Sequence, residues 1–193
     1  MDLILCRFMP MNRVFAIEGV PLPTGEMVRV ASLCRSRVED DCAFLKHLRK
    51  ARRGDDSSRE EYESTLESSV EALVKGLGGA FDAIVSPPSD HQFAIPYLRA
   101  FVAHHAEADD LTRFVDRASD AAQAGAAGTT LLDIIAGLRC APLPQRPTAT
   151  SLLIVDDIFE GGKTVAALLH VMREAGLKTR AVTVAAPLRI LAP

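Results

Sequence analysis

Two adjacent aspartates, Asp156 and Asp157, end an apolar run and are followed by a glycine pair, a lysine and a threonine. Residues 152–164 read LLIVDDIFEGGKT. Two neighbouring carboxylates can accept hydrogen bonds from a pair of vicinal hydroxyl groups, and bonds to a charged acceptor are strong. Glycines permit close backbone approach, and the N–H groups at the start of a helix attract phosphate. The segment therefore predicts a ligand that carries a sugar diol next to a phosphate.

The letters GGKT also suggest a P-loop, in which Gly-Lys-Thr opens a helix that binds nucleotide phosphates. That motif requires another glycine at the start of its loop. Counting back from Gly162 places Asp157 at this position. A carboxylate there would face the phosphates, so we exclude a nucleoside triphosphatase of this kind.

Apolar runs alternate with helical patterns over much of the chain. Strands are predicted at FDAIVS (81–86), SLLIV (151–155) and AVTVAA (181–186), and a helix at VAALLHVMREAG (165–176). This alternation predicts an α/β fold with a parallel sheet that has helices on both faces. Ligands of such sheets bind beyond the carboxyl ends of the strands. We therefore expect the SPPSD loop (86–90) and the two aspartates to face one crevice.

The remaining elements are predicted from turn residues and periodicity. Strands at 3–8, 13–20 and 27–34 predict a small β-rich N-terminal segment or hood over 1–35, followed by an α/β domain over 36–193. Apolar residues at helical spacing predict helices with Val38, Cys42, Leu45 and Leu48 on one face, and with Tyr62, Leu66, Val70, Leu73 and Leu77 on another. Ser58 and Glu61 predict a capping box, and Gly78-Gly79 a helix end. Helices are also predicted at 92–105 and 131–138, a loose segment at 116–130 and an extended linker at 142–147.

Composition limits the classes of function. The 193 residues are 48% hydrophobic and 24% charged, with a net charge of −3, as expected for one ordinary domain with no general attraction to nucleic acid. No signal peptide and no membrane span is recognisable, and the four cysteines show no paired spacing, so we expect a cytoplasmic protein without a membrane partner. The basic run at 46–53 is interpreted as a solvated helix face, with nucleic-acid binding as a third and weaker hypothesis.

The pattern of four apolar residues, two acids, a short loop, glycine and threonine resembles the 5-phosphoribosyl-1-pyrophosphate (PRPP) signature of type I phosphoribosyltransferases. Within that family the loop most resembles that of the hypoxanthine-guanine enzymes. The match is specific over 152–164, and the order of strand, loop and helix extends a weaker resemblance to 80–187. The resemblance implies that the protein has the core of that family. It also implies that the protein binds PRPP with Mg²⁺ and transfers the phosphoribosyl group to a nucleobase with release of pyrophosphate.

The resemblance also implies roles for individual residues. It assigns Asp156 and Asp157 to the ribose 2′ and 3′ hydroxyl groups, where their charge can also stabilise a positively charged transition state. The residues assigned to the 5′-phosphate are Glu160, Gly161, Gly162, Lys163 and Thr164. The residues assigned to the diphosphate and its Mg²⁺ are Ser86, Pro87, Pro88 and Ser89. No side chain is expected to ligate the metal directly. Glu160 is either a solvated acid or the base that takes a proton from the acceptor.

The sequence departs from the family pattern at the phosphate-binding segments. Gly161 replaces a hydroxyl residue, and residues 86–90 contain no lysine or arginine. Neutralising the diphosphate therefore falls to Mg²⁺, to backbone amides or to a basic residue from elsewhere in the chain. Residues AQAGAAG, in the place of the family's mobile loop, offer only backbone groups.

The acceptor is the open question, because only PLRILAP follows the strand at 181–186. The hood that recognises the acceptor must then come from the N-terminal strands or from a partner chain. A second hypothesis follows, in which the protein senses PRPP or a nucleotide without turning it over and acts through a partner protein. Dimers are common in the resembled family, so a homodimer is also expected.

Overall fold

The computed structural model describes residues 16–37, 57, 60, 73–88, 101–118, 129–143 and 151–191. Its strands are β1 (Ala16–Pro21), β2 (Met27–Ser32), β3 (Cys34–Arg37), β4 (Ala83–Val85), β5 (Asp109–Asp110), β6 (Val115–Arg117), β7 (Leu138–Cys140), β8 (Ser151–Val155), β9 (Ile158–Glu160), β10 (Ala181–Ala185) and β11 (Leu188–Leu191). Its helices are α1 (Leu131–Ala136) and α2 (Lys163–Glu174), with a 3-10 turn at Thr112–Phe114. Residues 73–77 and 101–104 are also helical.

Six strands form the central sheet in the order β1-β2-β10-β8-β4-β5. The β1–β2 pair is antiparallel, and the other four pairs are parallel. Parallel neighbours need a crossover connection, and α2 supplies it between β8 and β10. The predicted α/β class with a mostly parallel sheet is therefore confirmed.

Strands β4 and β8 are direct neighbours in this sheet. They run parallel, and Val85 lies opposite Ile154. The prediction that FDAIVS and SLLIV are parallel strands of one sheet is confirmed, although β4 covers only the middle of FDAIVS. Because the two strands point the same way, the loops that follow Val85 and Val155 leave from the same edge.

Strand β8 is buried on both of its faces. Leu152 and Ile154 pack in a cluster with apolar residues of α2, including Leu168 and Met172. Alternate residues Leu153 and Val155 pack in a second cluster with helical residues around Leu73 and with Phe101. A continuous apolar run is what a strand buried on both faces requires. The described helical residues are few, so a full layer of helices on each face stays a prediction.

The described part of the N-terminal segment belongs to the central sheet. Strands β1 and β2 form a hairpin at one edge, and β2 pairs in parallel with β10. A tight turn joins them, in which the N–H of Leu22 donates to the carbonyl of Glu26 at 2.8 Å. Residues 16–32 therefore extend the sheet that carries the aspartates, where the sequence suggested a separate hood. The boundary at residue 35 stays a prediction, and the strand predicted at 3–8 lies outside the described residues.

Other predicted elements have mixed outcomes. The helix end at Gly78-Gly79 is confirmed, since the helical residues 73–77 precede two glycines with φ of 46° and 98°. The helices predicted at 131–138 and 165–176 are present as α1 and α2, but α1 ends at Ala136 because Leu138 begins β7, and α2 runs from Lys163 to Glu174. The loose segment predicted over 116–130 is wrong at its start, because Val115–Arg117 forms β6 and pairs with β7.

Several other predictions lie outside the described residues. They are the helix face that begins at Val38, the capping box at Ser58 and Glu61, the basic run at 46–53, most of the helix at 92–105 and residues 144–147 of the linker.

In the part of the chain that the structure describes, no helix has the length and apolar character needed to cross a membrane.

His105 lies just before β5 and packs between two rings. Its imidazole meets Phe81 edge-on at a centroid distance of 5.1 Å and His104 at 4.9 Å. Its Nε2 atom is buried and has no hydrogen-bond partner among the described residues. Burial, followed by the charge of His104, lowers the pKa of His105 below its ordinary value. The folded protein therefore disfavours the protonated ring.

We expect this histidine to make the fold sensitive to acid. Because the folded pKa is depressed, the stability is fully present above the unfolded pKa of about 6.5 and is lost as the pH falls toward the folded pKa. The urea midpoint of the wild-type protein should drop between about pH 7.5 and about pH 5.5 by more than that of His105→Gln. His170→Gln, at an exposed position on α2, is the matched control and should behave as wild type. An equal drop in wild type and His105→Gln would contradict the prediction.

Candidate functional site

Three neighbouring strands of the central sheet bend at the same level and continue as a second sheet. Strands β2, β10 and β8 are followed by β3, β11 and β9, which pair in parallel in the order β3-β11-β9. Ala185 lies opposite Val155 before the bend, and Leu188 lies opposite Ile158 after it, so the register is unchanged. Asp156 and Asp157 occupy the bend of β8.

The second sheet corrects the expectation of a plain loop after the aspartates. Residues 158–160 form β9, and residues 188–191 of the C-terminal PLRILAP form its neighbour β11. The sequence did not indicate these strands, because each has only three or four residues and depends on a partner about thirty residues away for its hydrogen bonds. The apolar side chains of Ile158, Leu188 and Ile190 were the sequence signal that could have indicated these two strands. Leu188 and Ile190 are buried.

The bend turns the chain so that the normal alternation of side chains is broken. Val155 and Ile158 pack against the same hydrophobic cluster, although residues three apart on an unbroken strand point to opposite faces. The Asp156 Oδ1 atom accepts the N–H of Asp157 at 2.8 Å, a local bond of the kind that replaces a strand ladder. The Asp156 N–H donates to the carbonyl of Ala185 at 3.0 Å. Both aspartates are half-buried, and the backbone fixes their place at the carboxyl edge of the sheet.

Two glycines connect β9 to the start of α2. Gly161 has φ of 59° and Gly162 has φ of 68°, in the left-handed region that side chains disfavour. The Gly162 N–H donates to the carbonyl of Glu160 at 2.7 Å. Gly162 is the N-cap of α2 and offers no side-chain bond to the helix. Gly162 therefore provides no side-chain cap for the first N–H groups of this 12-residue helix, and these groups carry the positive end of the helix dipole.

Gly162 also packs against the β1–β2 turn. A Cβ atom at this position would lie 2.7 Å from Cδ2 of Leu22 and 3.3 Å from Cζ of Phe159. Phe159 is 3% exposed and belongs to the hydrophobic core. Leu22 was not identified from the sequence, since the prolines and glycine around it indicate a turn but not where that turn packs. The glycine turn is therefore held between the hairpin and the core.

An ion pair also joins the β1–β2 hairpin to α2, near the C-terminal end of the helix. Both terminal nitrogens of Arg173 donate to the carboxylate of Glu26, at 2.7 and 2.6 Å. The hydrogen bond from Arg173 lowers the pKa of Glu26. The two side chains are 41% and 31% exposed, so water screens the pair and its stabilisation is about 0–1 kcal/mol. Its main effect is to orient the turn against the helix.

The three remaining polar residues of the segment have different surroundings. Lys163 donates from Nζ to the carbonyl of Thr129 at 3.0 Å, just before the capping box of α1. Glu160 is the last residue of β9 and is exposed. Thr164 lies half-buried on the first turn of α2. The segment from Asp156 to Thr164 thus places acids, uncapped N–H groups and a hydroxyl along one short stretch of chain.

The second predicted loop begins on the adjacent strand. Ser86 is 5% exposed, and its N–H donates to Oγ1 of Thr112 at 3.1 Å. Pro87 and Pro88 are half-buried, and Ser89 lies outside the described residues. Since Val85 is paired with Ile154, Ser86 lies level with Val155, at the edge where the aspartates begin. The backbone thus places Ser86 and Asp156 at one edge of the sheet, and the expectation that the SPPSD loop and both aspartates face one crevice stays a prediction. Thr112, which anchors this loop, was not identified from the sequence.

Comparison of the chain with protein-family models gives no match, and comparison with curated proteins gives none either.

The glycine pair allows a paired test of the packing. We expect Gly162→Ala to lower the free energy of unfolding by about 2–4 kcal/mol, because it combines a left-handed backbone with overpacking against Leu22. Gly161→Ala meets no atom within 4 Å, so it should cost only about 1–2 kcal/mol for the backbone. Urea unfolding followed by circular dichroism measures both. Equal losses would mean that Leu22 yields to the new methyl group.

Proposed function

We propose that the protein binds PRPP together with Mg²⁺ and transfers the phosphoribosyl group to a nitrogenous base with release of pyrophosphate. One observation carries this proposal: two carboxylates at the bend of β8 are followed, within residues 156–164, by an uncapped helix N-terminus behind two glycines. The first group suits a ribose diol, and the second suits its 5′-phosphate. The proposed fold is that of the type I phosphoribosyltransferases, with a cytoplasmic location and a homodimer or a partner protein.

The glycine turn suits a terminal phosphate for two reasons. Among the described residues, no atom lies within 4 Å of the position that a Gly161 side chain would occupy, which leaves room for a ligand to approach the backbone there. The N–H groups of the first turn of α2 and the Thr164 hydroxyl can donate to phosphate oxygens, and the helix dipole adds attraction. The phosphate then needs no cationic side chain within the turn.

Asp156 and Asp157 are proposed to hold the ribose and to stabilise the transition state. Their oxygens accept bonds from the two hydroxyl groups. When the bond from the anomeric carbon to the diphosphate oxygen breaks, the electron pair leaves with pyrophosphate and positive charge develops on the sugar ring. Fixed carboxylates near this charge lower its energy. A ring nitrogen of the acceptor then forms the new bond to the anomeric carbon.

The donor groups at this edge suit Mg²⁺ when the ligand supplies most of the coordination. Mg²⁺ favours carboxylate, phosphate and water oxygens, and usually takes one or two carboxylates from the protein. Asp156 and Asp157 are proposed to bind the ribose diol, so the diphosphate and water would supply the direct ligands of the ion. Among the described residues, no group of three or more metal-ligating side chains forms a preassembled cation site, so the diphosphate would bring the metal with it. The ion supplies neutralisation of the leaving diphosphate.

Isothermal titration with Mg·PRPP tests binding, and a pyrophosphate-release assay over a panel of nucleobases tests transfer. Binding with release for one base supports the enzyme and identifies the acceptor class. Binding without release across the panel supports the alternative of a PRPP-sensing regulator. Absence of Mg·PRPP binding would overturn both.

The aspartates give the first quantitative test. We expect Asp156→Asn and Asp157→Asn each to weaken Mg·PRPP binding by about ten- to a hundredfold, because each removes a charge-assisted bond of about 1.5–3 kcal/mol. Glu174→Gln, exposed at the far end of α2, makes the same change of charge and should leave affinity within about twofold. Unchanged affinity in both aspartate variants would remove the diol assignment.

A substitution at Glu160 tests whether this residue is the general base or only a solvated acid. It follows the diol-binding residues and precedes the phosphate turn, which suits a side chain that takes the acceptor's proton. We expect Glu160→Gln to bind Mg·PRPP within a few-fold of wild type and to lose at least about tenfold in turnover, the low end of general-base effects. Glu107→Gln, exposed near the amino end of β5, is the control. If turnover is unchanged, Glu160 is a solvated residue; if only binding improves, it was repelling phosphate.

A further inference from the structure

The segments assigned to the ligand contain few cations for a diphosphate. Residues 86–90 have no lysine or arginine, and Lys163 is bonded to the carbonyl of Thr129. The chain that follows β5 reaches the same edge of the sheet as Ser86. A basic residue on that chain would therefore be close to the loop that receives the diphosphate.

Two hydrogen bonds hold the chain after β5 beside β4 and the Ser86 loop, and a third stabilises its own turn. The N–H of Leu111 donates to the carbonyl of Ile84 at 2.8 Å, which extends the pairing with β4 beyond β5. The Thr112 hydroxyl accepts the N–H of Ser86 at 3.1 Å. The Thr112 N–H in turn donates to Oδ1 of Asp110 at 2.9 Å. Leu111 is 6% exposed, so this short 3-10 turn is also anchored in the core.

Arg113 is the next residue of that turn. It is exposed, and its guanidinium carbon lies 4.9 Å from the ring centroid of Phe114. Phe114 packs against the hydrophobic cluster, so the ring is a fixed support. Stacking on a ring face leaves the N–H groups at the guanidinium edges available as donors. Among the described residues no carboxylate pairs with Arg113.

A planar guanidinium with unpaired donors matches the geometry of phosphate oxygens and can bind two of them at once. From this placement, and resting on the function proposed above, we infer that Arg113 binds the diphosphate of PRPP. Thr112 is bonded to the Ser86 loop and directly precedes Arg113, so the loop and Arg113 lie at the same edge of the sheet. Arg113 is the basic residue from elsewhere that the sequence of 86–90 lacks.

The test compares a ligand that has the diphosphate with one that lacks it. Full-length wild type, Arg113→Gln and Arg113→Lys are titrated with Mg·PRPP and with ribose 5-phosphate. Arg113→Gln should lose about tenfold or more in affinity for Mg·PRPP and stay within about twofold for ribose 5-phosphate. Arg113→Lys keeps the charge without the planar fork and should fall between the two. Arg180→Gln, exposed at the opposite edge just before β10, is the matched control and should change neither affinity.

The outcomes distinguish this inference from the proposed function. If wild type binds neither ligand, the proposed function fails and the inference fails with it. If wild type binds both and Arg113→Gln keeps the same ratio of the two affinities, the inference fails while the proposed function stands. An equal loss for both ligands also overturns the inference, since it reports a change in the site as a whole. A thermal midpoint close to that of wild type confirms that the variants are folded.

Discussion

The pairing register of β8 and β10 is the same on both sides of the bend. Parallel strands that keep their register must bend together, because each backbone N–H needs an acceptor on its neighbour. The bend of β8 is therefore fixed by β10 and β11, and Asp156 is tied to it through the carbonyl of Ala185. The aspartates cannot move along the edge unless several hydrogen bonds break. Rigid placement of this kind is what a diol-binding carboxylate pair requires.

The direction of α2 follows from the packing of its apolar face. Its buried residues include Val165, Leu168, Leu169 and Met172, which lie against alternate residues of β8. A 12-residue helix is marginal in isolation, so burial of this face is what stabilises and orients it. Since the helix begins at Lys163, six residues after Asp157, its N-terminus follows the bend closely along the chain. The hairpin turn at Leu22 then closes the space behind Gly162, which leaves the Gly161 side open.

The parts that depend on local pattern were predictable from the sequence, and those that depend on tertiary pairing were not. Strands β4, β8 and β10 are apolar runs that only a doubly covered sheet can bury, and α2 has a clear helical period. Strand β9 reads as a loop, because it is short and its last residue is an exposed glutamate. Leu22 packs against Gly162, and Thr112 accepts a hydrogen bond from Ser86. The residues next to them in the sequence do not predict these distant contacts. The chemistry proposed for the aspartates, by contrast, rests on their type and spacing.

The charges at the carboxyl edge limit which part of the proposed ligand can lie beside which residues. Residues 156–164 contain three carboxylates and a single lysine, yet the proposed ligand carries phosphate at both ends. Two like unit charges about 8 Å apart near a protein surface repel by about 2 kcal/mol, which would cancel much of a hydrogen bond's contribution. Binding is favourable only if the carboxylates meet the uncharged diol and the phosphates lie to either side. In the proposed function the helix N-terminus would offset the charge of one phosphate, and Mg²⁺ with Arg113 would offset that of the other, which is why we propose the metal complex of PRPP as the bound form.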